Sequence, residues 1–135
     1  MTLDEFFIGK DKSRQLFEAV TQAVLAAGPF ELQVSKSQIA FKAGRVFGWV
    51  WIPGRYIKSI VPLVLSVSLP AQDGSARWKQ IVEPGPGRFM HHLELNSTDE
   101  VDADVVAWLA QAREYANRLS APPDAIRLRT LVLHP

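Results

Sequence analysis

The sequence predicts an α+β domain, with helices at both ends packed against one antiparallel sheet, and three observations predict it. Apolar residues recur at helical spacing in two separated stretches. Between them lie short runs rich in β-branched and aromatic residues, divided by Gly, Pro or Ser. The links between those runs are too short for the helical crossovers that parallel neighbours require, so an antiparallel meander is expected. With 135 residues and 47% hydrophobic content, residues 1–135 fit a single domain with one core that needs no metal or disulfide staple.

Each element has its own signal. Leu3 to about Gly9 reads as a short helix, and a longer one from Ser13 carries Leu16, Phe17, Val20, Val24 and Ala27 on one stripe. Gly28-Pro29 stops it, because glycine accepts the left-handed position after a helix and proline cannot continue one. Five or six strands follow: "ELQVS" (31–35), "QIAFKA" (38–43), "RVFGWVWIP" (45–53), "LVLSVSL" (63–69), "WKQIVE" (78–83) and "FMHHLEL" (89–95). "GPGRF" (85–89) has two glycines but neither the following helix nor the lysine of a phosphate loop, and reads as a hairpin turn. A second long helix is expected to open at "STDE" (97–100), where Ser97 and Glu100 have capping-box spacing. Its stripe includes Val101, Val105, Trp108, Leu109, Ala112 and Ala116, which places Trp108 between helix and sheet. "SAPPDA" (120–125) ends it, and "IRLRTLVLH" (126–134) is a candidate extra C-terminal strand.

Composition removes several classes of function. The absence of cysteine excludes disulfides, thiolate zinc sites and cysteine nucleophiles. The N-terminus is acidic where a signal peptide is basic, and the run "IVPLVLSVSL" (60–69) falls well short of the ~18 apolar residues of a membrane span. A soluble, cytoplasmic protein without membrane contact is the expectation. A net charge of +1 gives no global attraction to nucleic acid.

The chemistry must therefore come from local groups. In "RVFGWVWIP", Phe47, Trp49 and Trp51 occupy alternate positions, with Val46, Val50 and Ile52 between them, so both faces of the strand are apolar. One layer of helices covers one face. Val50 and Ile52 are the natural partners for it, which places Phe47, Trp49 and Trp51 on the far face. His91 and His92, adjacent on a strand, point to opposite faces and cannot share a metal ion. His91 shares a face with Phe89 and Leu93 and reads as a hydrogen-bonded core histidine; His92, beside Met90 and Glu94, is the better functional candidate. Basic residues outnumber acids in the sheet region. The expected site is a groove lined by Phe47, Trp49, Trp51 and His92 and bordered by Lys42, Arg45 and Lys79, for a small anionic or flat ligand. No cofactor, metal or catalytic residue is expected. The alternatives are a nucleic-acid accessory module that stacks bases on the aromatics, a homodimer interface, and an enzyme built on Ser35, Lys36 and His92.

Taken together, "KSQIAF", "FGWVWIP", "PLVLSVSLP", "RWKQIVEPGPGRFMHHLEL" and "VDADVVAWLAQA" resemble a family of small bacterial domains of unknown function, domain-of-unknown-function family 5655, sometimes labelled "predicted transport protein". The resemblance covers about residues 5–118. It implies a small α+β domain, related to modules that occur beside nuclease-like domains, and it carries no activity or site residues across. The chain has Arg113 where the family pattern leads one to expect tyrosine, and the segment from about Ala121 to Pro135 extends past the resemblance.

Overall fold

The structure is a computed structural model that describes residues 1–55 and 57–120. The candidate strand at 126–134 lies outside the described residues. Two N-terminal helices, α1 (Leu3–Phe6) and α2 (Asp11–Leu25), precede six strands: β1 (Glu31–Val34), β2 (Ile39–Ala43), β3 (Arg45–Trp51), β4 (Leu63–Leu69), β5 (Gln80–Gly85) and β6 (Arg88–Leu95). A long helix, α3 (Ala103–Ser120), closes the described chain. The α+β class, the six-stranded antiparallel sheet and the helix packed on it agree with the sequence. Among the described residues no helix is long and apolar enough to cross a membrane.

The first four strands form a meander. Gly44, with φ +80°, turns β2 into β3 so tightly that Ala43 and Arg45 pair directly, a conformation open to glycine and rare for other residues. The sheet order is then β1-β2-β3-β4-β6-β5. Strand β6 occupies the place beside β4, and β5 lies at the edge, parallel to β4. Residues 70–79 therefore travel back along the sheet before β5 begins. An extended residue advances about 3.3 Å, so even this short segment spans the length of a seven-residue strand without a helix. Its anchors are polar and specific. His91, fully buried, accepts the Asp73 N–H at Nε2 (3.0 Å) and donates from Nδ1 to the Phe89 carbonyl (3.0 Å), so it is held as the neutral Nδ1–H tautomer. Trp78 donates to Asp73 Oδ2 (2.9 Å) and packs on Trp108 of α3 with ring centroids 4.2 Å apart.

The core lies between the sheet and α2 and α3. Leu16, Val20 and Val24 of α2 and Val105, Leu109 and Ala112 of α3 are essentially inaccessible, as are Ile39, Val50 and Leu65 beneath them. The start of the last helix differs from the sequence reading. Glu100 does reach back, accepting from the Ser97 N–H (2.9 Å), but this caps a single 3-10 turn, Thr98–Glu100, and α3 begins at Ala103 with Asp102 accepting from the Val105 N–H (3.3 Å). Two acidic start signals in succession produce two short-range starts, and the second carries the long helix.

Candidate functional site

Strand β3 sets the site because its two faces meet different partners. Val50 and Ile52 are buried under the helices, and Leu109 Cδ2 lies 3.7 Å from where a Gly48 Cβ would stand, so positions 48, 50 and 52 face α3. Trp49 and Trp51 face away and are partly exposed. Cross-strand register then assembles one continuous row on the far face: Ala40, Trp49, Ser66, His92 and Gln80, from β2 to β5. Small residues alternate with large rings in this row, so the indole of Trp49 and the imidazole of His92 flank a low point at Ser66. The result is a groove of about 440 Å³ lined by Trp49, Trp51, Ser66, Met90 and His92, with Ser37 and Gln38 on its rim.

A directed hydrogen-bond chain runs through the floor. Trp51 Nε1 donates to Ser66 Oγ (3.0 Å), and Ser66 Oγ lies 2.6 Å from His92 Nδ1. Ser66 is 3% exposed, and indole can only donate. The buried hydroxyl proton therefore goes to His92 Nδ1, since otherwise it is left without an acceptor. His92 is thereby fixed as the neutral Nε2–H tautomer. Burial, and second the neighbouring His91, hold its pKa below the ordinary histidine value, which agrees with an imidazole that accepts at Nδ1. The ring stands edge-on to Trp51, centroids 6.2 Å apart, and lines the groove together with Trp49 and Trp51.

A second cleft, of about 250 Å³, opens at the end of the sheet where α3 meets the β5–β6 turn. Arg45, Arg88 and Tyr115 border it, and Trp49 and Met90 line both this cleft and the groove. The Tyr115 hydroxyl donates to the Gly87 carbonyl (3.4 Å), tying helix to turn.

Of the expected site residues, the structure brings Trp49, Trp51 and His92 together and places Arg45 in the adjoining cleft. Three are elsewhere. Phe47 is 1% exposed and packs against Phe41 (centroids 6.5 Å) inside the core. The reason is a bulge: Phe41 pairs with Gly48 but Lys42 pairs with Val46, so Phe47 is an extra residue in β3 and strict alternation fails there. Lys79 stands just before β5, exposed and outside the residues that line the groove or the cleft. Lys42 lines a separate shallow depression with Pro29, Phe30 and Glu31. The rest of the basic excess is dispersed, with Arg77 bound to Asp102 (2.9 Å) and Arg55 lying over the Phe6 ring. The Ser35 hydroxyl is engaged in its own turn, bonding to the Gln38 carbonyl (3.0 Å). Among the described residues no group of three His, Asp or Glu side chains is placed to hold a metal ion. Sequence reasoning missed Ser66, Met90 and Arg88; the alternation of small polar residues in "LSVSL" was the available signal for Ser66.

A family model described as "Domain of unknown function (DUF5655)" matches residues 3–115. No curated protein and no solved structure matches the chain.

Proposed function

Starting from a chain that belongs to the DUF5655 family, whose description assigns no activity, we propose that this domain is a non-catalytic binding module for a small flat molecule. The observation that carries the reading is the Trp51–Ser66–His92 chain on the sheet face that none of the described helices covers. Two tryptophans and a methionine supply apolar walls, and the tautomer set by Ser66 leaves the imidazole Nε2–H as a donor for an acceptor on the ligand edge. Catalysis is not favoured by the same geometry. The Ser66 oxygen already accepts from an indole N–H, which lowers its nucleophilicity, and Ser66 is almost inaccessible. Nucleic-acid binding is less favoured because Lys42, Lys79 and Arg77 do not line the groove beside the tryptophans as a phosphate path would require.

Fragment screening by NMR on the full chain tests the proposal. Planar heteroaromatics bearing a ring acceptor are expected to shift the Trp49 and Trp51 indole N–H signals and the His92 ring protons. A library that leaves those signals unmoved, or a mass that doubles with concentration and is restored to monomer by Trp49→Ala, overturns it in favour of an interface between two copies.

A further inference from the structure

We infer that the ligand is an aromatic anion, with its ring on Trp49 and its carboxylate or phosphate between Arg45 and Arg88. This rests on the binding reading above and adds the charge of the ligand and its direction in the groove. The first support is continuity. Trp49 and Met90 line both the groove and the cleft at the end of the sheet, so the two hollows meet at these side chains. Arg88, Met90 and His92 are alternate residues of β6, about 7 Å apart on one face. A two-ring molecule seated on Trp49 therefore reaches the arginines with a single short acidic arm.

The second support is charge. Arg14 and Arg77 are held by acids, whereas Arg45 and Arg88 form no ion pair among the described residues. Glu83, the acid of the same hairpin, accepts from the Gly87 N–H (3.1 Å) and is not paired with Arg88. The Arg88 guanidinium lies close over Gly85, where a Cβ would come within 2.8 Å of Nη2, so the glycine makes room for it beside the cleft. The two arginines thus make the Trp49 end of the trough positive, and an anion is favoured there. On the α3 side, Ala112 and Ala116 are small enough to leave the cleft open, and the Tyr115–Gly87 bond fixes its wall.

Calorimetric titration of the full chain with 2-naphthoate and 2-naphthamide tests this, because the two probes differ in charge and hardly in shape. Naphthoate is expected to bind about tenfold tighter or better, the scale of one or two charge-assisted hydrogen bonds. In the Arg45→Gln/Arg88→Gln variant that preference falls to near unity while naphthamide binding is unchanged. Both arginines are exposed, so the fold tolerates the exchange. In Trp49→Ala both probes weaken together. Equal affinities for the two probes, or a preference that survives the double substitution, overturn the anion assignment; naphthamide binding that still depends on Trp49 then leaves the groove reading standing. If neither probe binds, both fail.

Discussion

Ser66 has one hydroxyl proton and two partners, and this decides what His92 can do. Trp51 occupies its acceptor side, so the proton goes to His92 Nδ1 and the imidazole stays neutral. A histidine whose folded pKa is depressed favours the folded state above its ordinary value of 6.5, and that stability is lost as pH falls through the folded value. Removing the donor to the neutral form works in the opposite direction. In Ser66→Ala, the His92 pKa is expected to rise toward the ordinary value, and the Trp51 indole N–H signal to move, as read by NMR titration. A wild-type His92 that titrates at or above 6.5, or one indifferent to Ser66→Ala, would show that the proton runs the other way. The sequence contained half of this. It separated His92 from His91 by alternation, and it placed His91 in the core as a hydrogen-bonded group. It did not reveal Ser66, because a serine within "LVLSVSL" becomes a neighbour of Trp51 and His92 only through register with two strands distant in sequence.

The strands themselves were legible, since runs of β-branched and aromatic residues broken by Gly and Pro gave all six to within a few residues. The phase of β3 was legible from Gly48 onward and failed at Phe47, because a bulge is set by how two strands close on a tight turn rather than by the pattern of either one. This gives a graded expectation along one strand. Phe47→Ala should cost about 3–5 kcal/mol, the usual range for a fully buried aromatic. Trp49→Ala, removed from a partly exposed position, should cost clearly less while abolishing occupancy of the groove. Urea titrations check both, and equal losses at the two positions would mean that the far face is sealed. Trp108, 6% exposed and packed at a tilt against Trp78, belongs with Phe47, so Trp108→Ala should also cost about 3–5 kcal/mol.

At the scale of the molecule, strand order was the part hidden from the sequence. Short links argued for an antiparallel meander and left its strand order open; residues 70–79 step over one strand position so that β6 can return beside β4. What makes that path stable is a set of polar contacts between residues far apart in the chain, and periodicity carries no trace of such contacts. Asp73 accepts from Trp78 Nε1 and donates its own N–H to His91, while the neighbouring Arg77 binds Asp102 (2.9 Å) and the Glu100 carbonyl (2.7 Å), fastening the segment to the start of α3. The Trp78 hydrogen bond, above all, holds the Asp73 carboxyl below its usual range, and the Arg77 hydrogen bond does the same for Asp102. Groups with depressed folded pKa values stabilise the fold above the ordinary carboxylate value of 3.8, and their contribution disappears as pH falls through the folded values. The crossing segment should therefore be the part of the fold most sensitive to acid below pH 3.8. Lowering the pH from 5 to 2 is expected to change the fluorescence of the Trp78–Trp108 pair before far-UV circular dichroism records loss of the helices. The Asp73→Asn/Asp102→Asn double variant has no carboxylates to titrate at these two positions, so its stability should be lower at pH 5 and should depend less on pH below 3.8. An acid transition in the double variant as steep as that of the parent would place the sensitivity in other groups and remove these contacts as the fastening of the crossover.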